Sequence, residues 1–360
     1  MAKKGKKPNE EAYRKAVQLI SPGTQVREGI SAIMQSGTGA LLCFGPPKKI
    51  ADLSEAGVKV DAKLTPQLLY ELSKMDGALL LNEDGSRIIY ANRFLKPDAT
   101  IPSRETGTRH RAAERLARQA SCTVIAVSQR RSSLTLYVHD IRHVMDSIPT
   151  LLNKAQQAIQ TLEKYTSVLR QTMHELSVRE FQDIVTIFDV CRTIQRMEMV
   201  ARIATEIEPY VLELGTEGRL INLQVQEMLQ PLGEAKLVVR DYYRDKQEGG
   251  YEGALQRIHE MPEDELLNLN SISAILGYGA NMRNVDTYLT PRGYRVLMGT
   301  HRLSPQIIEN LVQRFGSLQQ LVRAPKDELV AVEGVGEVLA ERVRVSLNLL
   351  HNQLTLDERR

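Results

Sequence analysis

The sequence predicts an α/β N-terminal domain with a mixed central sheet, then an all-α helical spine, then a C-terminal module of short helices around a tight hairpin. Three observations carry this. Residues 10 to 145 alternate helical patterns with short apolar runs. From Thr150 to about Lys246 the apolar spacing is helical throughout, and from about Pro291 the chain breaks into short helices separated by glycines. The expected parts are 1–147, 148–290 and 291–360, and a chain of 360 residues is long enough for two or three domains.

In the first part, Ala12, Ala16 and Ile20 predict a helix stopped by Ser21-Pro22-Gly23, and Val26, Ile30 and Ile33 predict a second stopped near Gly37. Ala40 to Phe44, Ala78 to Leu81, Ile88 to Asn92, Cys122 to Val127 and Leu134 to Val138 read as strands, with Asp84-Gly85 as a turn. Leu64 to Met75 reads as a helix with Thr65 as N-cap, Pro66 in the first turn, and Leu64, Leu68, Leu72 and Met75 on one face. Another helix begins near Thr108, its N-cap, with Ala112, Ala113, Leu116, Ala117 and Ala120 as the apolar positions.

In the spine, Leu151, Ala155, Ala158, Leu162, Tyr165 and Leu169 make a bundle-like face, and Val200, Ala204, Ile207, Val211 and Leu214 repeat it. Gly249-Gly250-Tyr251-Glu252-Gly253 is expected to interrupt the helices. In the last part, Ser304-Pro305 caps a helix that holds Ile307, Ile308, Leu311 and Phe315 and stops at Gly316. Val332-Glu333-Gly334-Val335-Gly336 then precedes a helix whose face is Leu339, Val343, Leu347 and Leu350, in the manner of a helix-hairpin-helix module. Gly334, Val335 and Gly336 would present backbone N–H groups to a DNA phosphate, a contact without sequence information. A protein-protein helical module is the plainer alternative.

Composition narrows the function. Net charge is +3, so nucleic-acid binding must be local, and the absence of Trp argues against a base-stacking surface. Residues 291–360 are only slightly basic, which predicts weak, salt-sensitive, structure-selective DNA binding. Cys43, Cys122 and Cys191 sit in apolar segments and read as buried free thiols of a reducing compartment. The Lys-rich N-terminus has no apolar stretch after it, no run approaches membrane-spanning length, and neither a P-loop nor a Cys/His metal spacing occurs.

Two short segments carry chemistry. Gly107-Thr108-Arg109-His110-Arg111 places two guanidiniums and an imidazole at a helix start, where N–H groups and the dipole already favour an anion. Cations there oppose the dipole, so the arrangement points to a phosphate ligand; taken alone, the triplet would be a solvated basic turn. Asp76-Gly77 lies at a helix-to-strand junction. Gly77 permits close backbone approach, and Asp76 can bind a metal or accept a hydroxyl proton; a plain C-cap is the alternative.

Met75-Asp76-Gly77-Ala78, Tyr90-Ala91-Asn92-Arg93-Phe94-Leu95 and Glu105-Thr106-Gly107-Thr108-Arg109-His110-Arg111 together resemble the diadenylate cyclase family. The resemblance continues through Gln157 to Tyr165, Glu213 to Gly218, Pro291 to Arg295 and Val332 to Gly336, and so covers nearly the whole chain. It implies condensation of two ATP into cyclic di-AMP with release of two pyrophosphates, and a DNA-binding module that senses DNA structure or damage. Asp76 would orient or deprotonate the 3′-hydroxyl and bind Mg²⁺ or Mn²⁺. Arg109, His110 and Arg111 would share the catalytic work and hold phosphate, and Gly77, Leu95, Thr108, Ala112, Ser128 and Arg130 would line the nucleotide. Ser128-Gln129-Arg130-Arg131 departs from the family's Ser-Glu-Arg-Arg, which removes one carboxylate from the site. Each 3′-hydroxyl must attack the other nucleotide, so at least a symmetric dimer is required, and the resemblance implies an octamer. Branched DNA bound without sequence specificity, DNA repair proteins, no membrane, and a bacterial cytoplasmic, nucleoid-associated location are also implied. The alternatives are a DNA-binding scaffold or repair factor with an inactive nucleotide domain, and a nuclease.

Overall fold

The computed structural model describes residues 6–128, 133–244, 249–280, 287–300 and 303–357. The chain divides into two compact units, Met1–Gln157 with Ile207–Leu223, and Ala158–Glu206 with Gln224–Arg360.

The first unit contains α1 (Lys6–Ile20), α2 (Gln25–Gln35), β1 (Ala40–Phe44), α3 (Pro47–Ala51), β2 (Ser54–Glu55), β3 (Val58–Lys63), α4 (Pro66–Ser73), β4 (Ala78–Leu81), β5 (Arg87–Leu95), α5 (Thr108–Ala120), β6 (Thr123–Ser128), β7 (Ser133–Val138) and β8 (Ile141–Met145). The sheet order is β2-β5-β4-β1-β6-β7-β8, with β3 also paired to β5. β1 and β4 are parallel and the other pairs antiparallel, so the sheet is mixed, as the sequence predicts.

Alternation along the strands sorts side chains onto two faces. Leu42, Phe44, Leu79, Leu81, Ile125, Val127, Leu134 and Leu136 pack with Val17, Ile20, Ile30, Ile33 and Leu69 of α1, α2 and α4. Leu41, Cys43, Ala78, Leu80, Val124, Ala126 and Tyr137 pack with Ile50 of α3 and Ala113, Leu116, Ala117 and Ala120 of α5. Burial on both faces is why β1 and β4 read as unbroken apolar runs.

β2, β3, β8 and α3 were not visible in the sequence pattern. β3, Val58-Lys59-Val60-Asp61-Ala62-Lys63, alternates apolar and charged residues, but its apolar side is thin: Val58 is exposed and Val60 and Ala62 are only half-buried. β5 is longer than its apolar core Ile88 to Asn92, because edge pairing with β2 extends it to Leu95. In α4 Leu69 and Ser73 are buried and Leu68 and Leu72 pack half-buried against the same core, with Leu64 buried just before the helix; of the predicted face only Met75, outside the helix and exposed, departs.

α6 (Ile148–Gln182) and α7 (Ile187–Leu214) each contribute to both units. Between Leu151 and Leu169 of α6 the buried set is Leu151, Ala155, Ile159, Leu162, Thr166 and Leu169, so Ile159 and Thr166 replace the expected Ala158 and Tyr165. The 3₁₀ turn Gly215–Gly218 that ends α7 seats on Ser21-Pro22-Gly23: Thr216 N–H donates to Pro22 O (3.1 Å), and Ser21 Oγ donates to Leu212 O (2.8 Å). A Cβ on Gly215 would lie 2.5 Å from Pro22 O, which explains the glycine in that motif.

Then follow α8 (Arg219–Met228), α9 (Gln230–Tyr242), α10 (Gly250–His259), α11 (Glu263–Leu266), α12 (Leu269–Leu276), α13 (Tyr294–Met298), α14 (Pro305–Phe315), α15 (Leu318–Arg323), α16 (Lys326–Val330) and α17 (Glu337–Asp357). Gly249 is the N-cap of α10, so Gly250 to Gly253 lie inside a helix rather than in the expected interruption. Asp241 explains Pro291-Arg292-Gly293-Tyr294-Arg295: its carboxylate accepts the N–H groups of Gly293 (2.8 Å), Tyr294 (2.7 Å) and Arg295 (3.0 Å). Arg295, itself buried, pairs with Glu180 and with Glu234 (2.8 Å). Ser304 and Gly316 cap α14 as the sequence predicts, and its buried residues share a core with Val335, Ala340, Val343 and Leu347. The three cysteines are buried free thiols. Among the described residues no helix is long and apolar enough to cross a membrane.

Candidate nucleotide-binding site

Strand register assembles the site at one end of the sheet. Leu42 of β1 pairs with both Leu79 of β4 and Ile125 of β6, and Ala40 pairs with Val127. Asp76 and Gly77, just before β4, therefore share an end with Ser128, the last residue of β6. α5 packs on β6 and joins it through Ser121-Cys122, so α5 runs antiparallel to β6 and starts where β6 finishes. Thr108 to Arg111 thus reach the same end as Asp76 and Ser128.

Gly77 is required by geometry. Its φ is +92°, and a Cβ would sit 2.8 Å from Arg93 O and 3.0 Å from Asn92 C. β5 bulges here: Ala78 pairs with Arg93, whereas Leu80 pairs with Tyr90, and Asn92 takes φ +56°. Arg93 holds the bulge against the β2 loop, donating to Ser54 Oγ (3.0 Å), Ala51 O (2.8 Å) and Ser54 O (2.7 Å). Tyr90 to Leu95 is thus a brace beneath Asp76-Gly77, with Leu95 packed against the α5-side core. Asp76 itself is exposed.

The first intrahelical bond of α5 is Arg111 N–H to Gly107 O (2.9 Å), so Gly107 is the N-cap and Thr108 the first helical residue, which corrects the predicted cap. No side chain caps this end, so the α5 N-terminus keeps its N–H groups for other acceptors. Arg109 is exposed; Arg111 donates to Thr106 O (3.1 Å) and Glu105 O (3.4 Å), which ties the preceding loop to the helix. Ala112 is half-buried. Arg130, with Gln129, lies outside the described residues.

Three residues behind this helix start, Glu105, Tyr137 and Arg142, carry no local sequence signal of a role. His110 Nδ1 lies 2.9 Å from Tyr137 Oη, Tyr137 Oη donates to Glu105 Oε1 (2.9 Å), and Arg142 Nε pairs with the same carboxylate oxygen. Burial opposes charge on Glu105, yet the hydrogen bonds from Arg142 and Tyr137 and the Arg142 charge hold its carboxyl below the usual range. Burial first, and then Glu105, push the Tyr137 phenol well up. Glu105 opens the segment that leads into Gly107 to Arg111, where sequence alone gives it no partner. Tyr137 was hidden in the apolar alternation of β7, where its ring fills the α5-side core. Glu114, buried in α5, anchors the same loop by accepting from Ser103 Oγ, Arg104 N (3.0 Å) and Arg118 Nη2 (2.9 Å).

Among the described residues no group of three or more His, Cys, Asp or Glu is placed to hold a metal ion. Asp76 offers one carboxylate, a donor set that suits a Mg²⁺ whose remaining ligands are phosphate oxygens and water. A cavity of about 640 Å³ opens at the opposite end of the sheet, beside Phe44, Gly45, Asp84 and Thr123, away from this chemistry.

Between α16 and α17, Gly334 takes φ +84° and Gly334 and Gly336 are exposed, whereas the Val335 side chain is buried. The Val335 N–H is used internally, on Val332 O (3.0 Å), and Gly336 accepts the first helical bond of α17, from Ala340 N (2.9 Å).

Residues 27–141 match the family model described as "DisA bacterial checkpoint controller nucleotide-binding", and residues 145–285 match its linker region. A DNA integrity scanning protein DisA from Clostridium perfringens is 43% identical over 97% of this chain and 98% of its own length. One from Carboxydothermus hydrogenoformans is 45% identical over 94% of this chain and 96% of its own. With that similarity over nearly the whole chain, the chain belongs to the DisA family of DNA integrity scanning proteins and carries a diadenylate cyclase domain.

Proposed function

We propose that this chain condenses two ATP molecules into cyclic di-AMP across two copies of its first unit that face each other. The observation that carries the reading is the shared sheet end of Asp76-Gly77, Ser128 and the start of α5. Each 3′-oxygen attacks the α-phosphorus of the other nucleotide. One bond forms, the bond to the pyrophosphate leaving group breaks, and the hydroxyl proton departs; two such steps close the ring and release two pyrophosphates. Facing triphosphates repel, and Arg109, His110, Arg111 and the uncapped N–H groups of α5 offset that charge. Gly77 lets the backbone approach the nucleotide, and Leu95, Thr108, Ala112, Ser128 and Arg130 complete its lining. Asp76 takes the 3′-hydroxyl proton or orients the hydroxyl. Mg²⁺ or Mn²⁺, held by Asp76 and phosphate oxygens, would neutralise charge on the reacting phosphate.

The C-terminal helix-hairpin-helix, 291–360, is our proposed DNA module. Gly334 and Gly336 let a phosphate approach the first-turn N–H groups of α17, a contact that selects DNA shape rather than sequence. Incubation with ATP and Mg²⁺ or Mn²⁺, followed by nucleotide separation, tests the cyclase reading. One cyclic di-AMP per two pyrophosphates supports it, and absence of the cyclic product favours the scaffold alternative.

A further inference from the structure

We infer that Tyr137 and Glu105 are positioning residues that fix the proton of His110 on Nδ1; this rests on the phosphate role proposed for His110. A phenol has one hydrogen. Tyr137 gives it to Glu105 Oε1 at 2.9 Å, so at the 2.9 Å contact with His110 the phenol oxygen can only accept. His110 must then carry its hydrogen on Nδ1. Nε2 is left as the ring nitrogen whose protonation changes, and a phosphate beside it favours the doubly protonated, cationic ring.

The direction of the relay is set at its far end. Arg142 saturates Glu105 with positive charge and keeps it ionised, so the carboxylate remains an acceptor and the phenol hydrogen cannot turn back. Tyr137 is buried on β7, with its ring at 6.2 Å and 65° from the imidazole, so the imidazole plane is held as well as its proton. The three partners come from separate elements: the loop before α5, β7 and β8. A rigid sheet thus orients a side chain at an otherwise uncapped helix start. Among the described residues, the charged groups near His110 by contact or helical spacing include Arg109, Arg111 and Glu114 on its own helix, Glu105 on the loop and Arg142 on β8. Glu114 is engaged by Ser103, Arg104 and Arg118, whereas the Glu105 charge couples to His110 and favours the imidazolium.

The test is ¹⁵N NMR of the histidine rings in the full chain, with His110 assigned by loss of its signals in His110→Gln. Wild type should show the Nδ1–H form in the absence of nucleotide. Glu105→Ala removes the phenol's acceptor, so the Tyr137 hydrogen turns to His110 and the ring should switch to Nε2–H. Glu105→Gln keeps an acceptor oxygen and should keep Nδ1–H. Tyr137→Phe should lose the fixed tautomer and lower kcat at least tenfold while KM for ATP changes less than threefold, because orientation matters most in the transition state. An unchanged tautomer in Glu105→Ala, or unchanged kcat in a folded Tyr137→Phe, overturns the inference. If Tyr137→Phe does not fold, the two Glu105 variants decide, since the tautomer is read without turnover. A wild-type chain that shows Nδ1–H and a Glu105→Ala variant that shows Nε2–H, with no cyclic di-AMP made by the wild type, would sink the cyclase reading alone.

Discussion

Asp76 and Gly77 have different tasks at one junction, and they fail differently when changed. Asp76 is exposed, so Asp76→Asn should fold normally and bind ATP. Its turnover should fall by about 10² or more, the scale of a lost general base; substantial cyclic di-AMP from the folded variant would remove the role given to Asp76. Gly77→Ala should instead lose stability, by about 1–3 kcal/mol, because φ +92° is strained for alanine and its Cβ meets Arg93 O. Chemical denaturation checks this, and an unchanged midpoint would contradict it. Far from the site, burial and then the Glu180 charge raise the Asp241 carboxyl to about 6, against the N–H groups of Arg295 and Tyr294. A folded pKa above the unfolded one means that the folded chain binds this proton more tightly. That contribution is complete below about pH 4 and is lost as pH rises through about 6. Urea unfolding of wild type should therefore show stability falling across that window, and Asp241→Asn should flatten the slope.

At the scale of elements, long apolar periods were legible and edges were not. α1, α2, β1 and β4 follow their predicted residues because burial on one or both faces enforces the pattern. β3 and β8 lie at the sheet margins: β3 alternates but buries no apolar side chain fully, and in β8 the half-buried His143 and the exposed Val144 break the apolar alternation. The site was legible as letters, Asp76-Gly77 and Arg109 to Arg111, because such residues at element junctions have few structural uses. Its supports were not: Tyr137 and Arg142 are brought to Glu105 by pairing of β7 with β8, which no local pattern announces. The start of α5 yields a direct prediction. Replacing Arg109, His110 and Arg111 with alanine should weaken ATP binding by about 2 kcal/mol, roughly thirtyfold, and adenosine binding far less. Equal ATP affinity in calorimetry would show that these side chains do not hold phosphate. In the hairpin, Gly334→Leu combines φ +84° with a Cβ at 3.3 Å from Ile307 Cγ1, so it should diminish DNA binding and leave cyclase activity intact. Undiminished retention of branched DNA in gel shifts would exclude Gly334 from the contact.

At the scale of the whole molecule, the contacts that α13 makes with Glu180 and Asp241 determine where the chain can be cut. Truncation after residue 290 would strip Arg295 from Glu180 and the α13 N–H groups from Asp241, leaving buried carboxylates unpaired. A cut after Thr300 keeps those partners. It should preserve cyclase activity and abolish DNA binding, and DNA retention by the shortened chain would relocate the DNA module. If the two activities are coupled, junction DNA should change the cyclase rate of the full chain and not of the shortened one; equal rates at saturating DNA would separate them. The most direct test of the central claim is product analysis of the full chain with ATP and Mg²⁺, wild type beside Asp76→Asn. The account predicts cyclic di-AMP with two pyrophosphates per ring from wild type, and ATP bound but unconverted by the variant. No cyclic product from wild type, or equal product from both proteins, would contradict it.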